Sequence, residues 1–121
     1  GNPLSLTAGI ATLRWLHDHK TIYRDLDEKT RALEESLKRS DSGSFVRFGS
    51  MFKWFFRNEP PKNYREVKEC ETGRFGKFWK HMLDAGIFLP PSQFETNFLS
   101  TAHSDQDLTA LMQAYIQCLS K

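Results

Sequence analysis

The chain has 121 residues, 39% hydrophobic and 26% charged, with ten Phe, three Tyr, three Trp and a net charge of +2. That is one ordinary domain with ample apolar residues for a single core, and it excludes a disordered chain, which is poor in aromatics and high in net charge. No apolar run approaches the roughly 20 residues that cross a bilayer, and residues 1–16 lack the basic start of a secretory signal. Cys70 and Cys118 form no C-x-x-C pair, so two reduced thiols in a cytoplasmic protein are expected.

Taken in chain order, Asn2 is a good N-cap and Pro3 suits the first helical position, where its missing N–H would be unpaired anyway. The helix that follows carries Leu6, Ile10, Leu13 and Leu16 on one side. A second helix is predicted with Thr21 as its cap, Ile22, Leu26, Leu33 and Leu37 as its apolar stripe, and Asp25, Glu28, Glu34 and Lys38 on its solvated face. Turn formers at 40–44 end it. The period then changes. Phe45-Val46-Arg47-Phe48 and 51–56 read as two strands separated by Gly49-Ser50, with Phe52, Trp54 and Phe56 alternating onto one face that needs a large apolar partner surface.

Asn58 to Lys62, with two prolines, breaks the pattern. A short helix over 64–70 and a longer one over 72–85 follow, the latter with Phe75, Phe78, Trp79, Met82 and Leu83 at helical spacing and Gly86 as its stop. Ile87-Phe88-Leu89 and Asn97-Phe98-Leu99-Ser100 are short strand candidates on either side of Pro90 to Thr96. The last helix opens on Ser104-Asp105-Gln106-Asp107, a capping box, and is expected to bury Leu108, Leu111, Met112, Tyr115 and Leu119. The predicted fold class is α+β, a single domain over 1–121 with four or five helices on a small, mainly antiparallel sheet.

Most candidate constellations yield to plainer readings. His17-Asp18-His19 sits at a helix end where i and i+2 point apart, which suits the helix dipole better than a metal, so no metal site is expected. His103-Ser104-Asp105 holds the residue types of a catalytic triad, but a triad is assembled in space and Ser104 is explained by capping. In Arg74-Phe75-Gly76-Lys77-Phe78-Trp79-Lys80 the aromatics and the charges fall on opposite helical faces, giving core plus solvated face rather than a nucleic-acid surface. The glycines form no phosphate-cradling pattern. Two features survive: the stiff Pro90-Pro91-Ser92-Gln93-Phe94-Glu95 loop, which presents polar side chains, and the small-residue turn Gly49-Ser50 entering an apolar strand.

Gly1-Asn2-Pro3-Leu4 with Ala8-Gly9, Gly49-Ser50-Met51-Phe52 followed by Phe55-Phe56, and Pro91-Ser92-Gln93-Phe94-Glu95 followed by Phe98-Leu99-Ser100 and Ala102-His103 occur in that order along the chain. Together they resemble the carboxy-terminal part of the glutamate-1-semialdehyde 2,1-aminomutase family, across essentially the whole chain. That family belongs to the class III aminotransferases, fold type I enzymes that use pyridoxal 5′-phosphate and work as homodimers on a small amino substrate. The resemblance implies the small carboxy-terminal domain of such an enzyme, in which glutamate-1-semialdehyde becomes 5-aminolevulinate, a tetrapyrrole precursor.

In the family a lysine upstream of the G-N-P segment holds the cofactor as a Schiff base, and a threonine just before that segment contacts the cofactor phosphate of the neighbouring subunit. None of the lysines here, from Lys20 to Lys121, matches the first, and the large cofactor-binding domain has no counterpart in these residues. The resemblance therefore implies no catalytic residue, no bound cofactor and no transamination by the isolated chain. It does imply a substrate-pocket role for Glu95, whose carboxylate attracts amino groups and repels a second substrate carboxylate. Ser50 and Met51 resemble the start of the strand beside that pocket. Two departures from the family pattern bear on substrate identity: Thr96-Asn97 replaces the small pair usual after that glutamate, and 37–45 is several residues shorter. The alternative from a different class is a free-standing, non-catalytic domain that self-associates or binds a partner through surfaces left bare.

Overall fold

The computed structural model describes residues 1–38 and 42–120. Five helices and three strands follow one another as α1 (Pro3–Asp18), α2 (Thr21–Leu37), β1 (Ser44–Phe48), β2 (Met51–Phe55), α3 (Tyr64–Lys68), α4 (Thr72–Asp84), β3 (Asn97–Phe98) and α5 (Asp105–Leu119). The sheet is antiparallel throughout in the order β1-β2-β3, so the α+β expectation holds. Of the turn formers at 40–44, Ser40 and Asp41 lie outside the described residues.

The hairpin β1–β2 is set by Gly49, whose φ of +55 occupies the first place of a two-residue loop. Only glycine takes that conformation cheaply, and the loop closes on the pair Phe48 and Met51. This register places Phe45, Arg47, Phe52 and Trp54 on the face toward the helices. Phe52, Trp54 and Phe56 are buried as expected and meet Phe75, Phe78 and Met82 of α4, Leu33 and Leu37 of α2, and Leu111 and Tyr115 of α5. Tyr115 is the centre of this core: its ring lies 5.1 Å from that of Phe78 and 6.4 Å from that of Trp54. Arg47 ties β1 to α2 by donating to Asp27 at 2.7 Å and Glu34 at 2.9 Å, and both carboxylates raise its pKa.

Several local expectations are borne out. Asn2 caps α1 through its side chain, and Ser104 and Asp107 form the reciprocal capping box of α5. Gly86, at φ +80, ends α4 in a Schellman arrangement in which Ile87 N–H donates to the Met82 carbonyl and Gly86 N–H to that of Leu83.

Others need correction. Thr21 does not cap α2. It is the first helical residue, preceded by Lys20 in helical conformation with no side-chain cap, because α1 turns into α2 through His19 and Lys20 with no extended residue between them. Ile87-Phe88-Leu89 is not a strand: the Schellman turn and Pro90-Pro91 leave it no neighbour to pair with, and the Leu89 carbonyl accepts from the Trp79 indole at 2.7 Å. Leu83 points to solvent, and the third strand stops at Phe98. The stripe of α1 buries nothing; Leu13 is 68% exposed.

Candidate functional site

On the sheet face away from the core, β1 and β2 and the loop 90–96 enclose a groove of about 300 Å³. Val46, Phe48, Met51 and Phe55 form its floor, and Tyr64 of α3 and Phe94 of the loop form one wall, their rings 5.8 Å apart. Two charged groups stand out at the loop side, Lys53 and Glu95. Met51 and Glu95 both line this groove. Ser50 is not among the lining residues; its carbonyl accepts from Leu99 N–H at 2.9 Å and so joins the hairpin to β3.

The loop owes its shape to contacts among its own residues and to Lys53, which the sequence reading passed over. Ser92 and Glu95 close a turn through Glu95 N–H donating to the Ser92 carbonyl at 3.1 Å. Gln93 is buried and donates to the Val67 carbonyl at the end of α3, at 3.3 Å. Lys53 reaches in from β2, donating to the carbonyls of Ser92 at 3.1 Å and Glu95 at 2.6 Å, while its ammonium lies 4.7 Å from the Phe75 ring centroid. Burial pushes the Lys53 pKa down to about 8, and the Glu95 charge opposes that shift. Glu95 itself is exposed.

The wall carrying Tyr64 is fixed by its own start. The Asn63 side chain accepts from Glu66 N–H, and the Glu66 carboxylate accepts from Lys62 N–H at 2.9 Å and sits 3.7 Å from Arg57. The Lys62 hydrogen bond is the main cause of its lowered pKa.

A second cavity, of about 410 Å³, lies between 85–90 and the start of α5, but its polar groups are engaged locally: His103 Nδ1 accepts from Ser100 N–H at 2.9 Å, and Asp107 serves the capping box. His17 and His19 are exposed at the end of α1, and among the described residues no His, Cys, Asp and Glu cluster could hold a metal ion. Phe75 and Phe78 are core while Arg74, Lys77 and Lys80 face solvent. No helix of the described residues is long and apolar enough to cross a membrane.

Pyridoxal 5′-phosphate requires an amine to hold its aldehyde and donors to cradle its phosphate. The groove's lysine is already committed to two carbonyls and a ring, its arginine, Arg47, is held by Asp27 and Glu34, and the remaining lining is largely apolar. The groove residues alone do not fit that cofactor.

The fold is one found in a transaminase. The chain superposes on an omega-transaminase from Sphaerobacter thermophilus with a TM-score of 0.71 and 20% identity, over 99% of this chain and 28% of that one. The sequence relationship is closer. Glutamate-1-semialdehyde 2,1-aminomutase of Methanoregula boonei is 65% identical over 119 residues, and that of Methanoculleus marisnigri 62%, each match covering 98% of this chain. Glutamate-1-semialdehyde 2,1-aminomutase 2 of Bacillus velezensis is 44% identical over 94% of the chain. No protein-family model matches. In sequence the chain is similar to glutamate-1-semialdehyde 2,1-aminomutases over nearly all of its own length, and it spans about 29% of the length of the Methanoregula and Methanoculleus relatives.

Proposed function

We propose that residues 1–121 are the carboxy-terminal small domain of a pyridoxal 5′-phosphate-dependent aminomutase acting on glutamate-1-semialdehyde. The reading is supported above all by 65% identity across 98% of the chain to a protein of that name. The groove adds a chemical reason. An exposed glutamate, Glu95, and the apolar Met51 line the same groove, and a carboxylate there attracts an amino group and repels a second carboxylate. Glutamate-1-semialdehyde carries one carboxylate and one amine, so it is accepted where a dicarboxylic competitor is not. Ser50 serves the same pocket indirectly, by setting where β2 begins.

The cofactor, its anchoring lysine and the homodimer belong to the whole enzyme, which works in the cytoplasm; the chain by itself is not catalytic. A chimera tests the central part of this reading: residues 1–121 replace the matching segment of the Methanoregula boonei enzyme, and 5-aminolevulinate formation is assayed. Activity near that of the parent supports the reading, and a folded, cofactor-loaded but inactive chimera contradicts it. Incubating the isolated chain with the cofactor and borohydride tests the remainder, and specific labelling of one lysine would overturn the non-catalytic assignment.

One observation favours a second reading, self-association of a free-standing domain. α1 exposes Leu4, Leu6, Ile10, Leu13 and Trp15 without burying a residue against the rest, and most helices in proteins owe their stability to packing of an apolar face. A strictly monomeric solution mass at high concentration removes this reading.

A further inference from the structure

Three consecutive residues of β2, Phe52, Lys53 and Trp54, are buried. Alternation sends Phe52 and Trp54 into the helix-side core, so Lys53 points to the groove face, yet it is only 7% exposed because the loop 90–96 lies over it. An ammonium withdrawn from water is unfavourable unless its donors are paired, and here they meet the carbonyls of Ser92 and Glu95 and the face of Phe75. Those two carbonyls mark the two ends of one four-residue turn. The Ser92 carbonyl also receives the Glu95 amide, so a single lysine braces the hydrogen bond that closes the turn.

We propose that Lys53 is the positioning residue of Glu95: it anchors both ends of the 92–95 turn to the central strand and thereby fixes where the Glu95 carboxylate stands over the groove. The proposal deepens the reading of Glu95 as the substrate-facing carboxylate and rests on it. The alternatives within the loop are weak. Gln93 holds only the middle of the turn, at 3.3 Å, and the β3 ladder begins beyond it, at Asn97. With an apolar side chain at 53, the two carbonyls keep their place only by finding water or by moving, and either frees the turn. The lowered pKa of the lysine is what such burial produces, and the nearby Glu95 charge opposes that shift.

The test has a structural arm and a kinetic arm. In the 121-residue chain, Lys53→Met is expected to speed amide exchange at Glu95 by about tenfold while the Leu111 and Tyr115 amides keep their protection. Lys53→Arg, which retains donors and charge, is expected to restore at least part of the slow exchange. NMR of the unsubstituted chain gives a reading independent of any variant's folding: slowly exchanging Nζ protons with couplings to the Ser92 and Glu95 carbonyl carbons are expected. A rapidly averaging ammonium, or a Glu95 amide indifferent to Lys53→Met, overturns the proposal.

In the chimeric enzyme, Lys53→Met is expected to raise KM for glutamate-1-semialdehyde about tenfold with kcat within about twofold, and to add little once Glu95→Gln is present. A purely structural role would instead give independent, multiplying effects. If the turn loosens but neither variant changes KM, the brace stands and the substrate-facing role of Glu95 fails.

Discussion

The Lys53 ammonium on β2 donates at 2.6 Å to the backbone carbonyl of Glu95, an exposed residue at the edge of the groove. A buried cation thus holds the main chain of an exposed anion. The relationship gives the lysine a titration that stability measurements can read.

In the unfolded chain Lys53 titrates near its ordinary 10.5, and in the folded chain near 8. Between those values the unfolded state holds a proton that the folded state has shed, so unfolding takes up a proton and stability rises with pH across this window. Lys53→Met removes that rise. Urea midpoints from pH 7 to 10 should therefore favour the lysine form progressively from about pH 8 upward. Burial raises the Tyr115 phenol pKa in both proteins, so its effect cancels in the comparison. Parallel profiles would contradict the assignment.

Tyr115 is fully buried, and its hydroxyl has no protein partner among the described residues. Removing an unpaired buried hydroxyl sacrifices no hydrogen bond, so Tyr115→Phe is expected to change stability by less than about 1 kcal/mol. Tyr115→Ala removes the ring that joins Trp54 to Phe78 and should cost about 3–5 kcal/mol. Chemical denaturation of the two variants checks the contrast.

Two glycines near one another in sequence should respond with opposite signs. Gly76 lies inside α4 with open space around it, so Gly76→Ala should stabilise by about 0.5–1 kcal/mol through the unfolded chain's lost freedom. Gly86 also has open space, but its φ of +80 strains any Cβ, so Gly86→Ala should destabilise by about 1–2 kcal/mol. Equal shifts in thermal midpoint would refute the Schellman assignment.

Much of the fold was legible because local rules and tertiary packing agree. Phe52, Trp54 and Phe56 alternate, Phe75, Phe78 and Met82 recur at helical spacing, and both groups are buried in one core. The reading failed where partners decide the outcome. Ile87-Phe88-Leu89 has strand-forming residues but no adjacent strand, and Thr21 has a capping side chain but follows a residue already helical.

At the site, Glu95 and Met51 could be named in advance through the family resemblance, whereas Lys53 could not. Strand alternation assigns Lys53 to the solvated face, and only the fold shows the loop lying over that face. A signal was present nonetheless: one charge inside Met51-Phe52-Lys53-Trp54-Phe55-Phe56, a run apolar on both faces, must be paired if the strand is covered on both sides.

The proposed selection by Glu95 against a second carboxylate is read most directly from competitive inhibition of the chimeric enzyme by a five-carbon dicarboxylate, with and without Glu95→Gln. Like-charge repulsion of roughly 1.4 kcal/mol corresponds to a factor of ten. Glu95→Gln is expected to tighten dicarboxylate inhibition about tenfold while weakening the binding of glutamate-1-semialdehyde. Unchanged inhibition in a fully folded enzyme would contradict it.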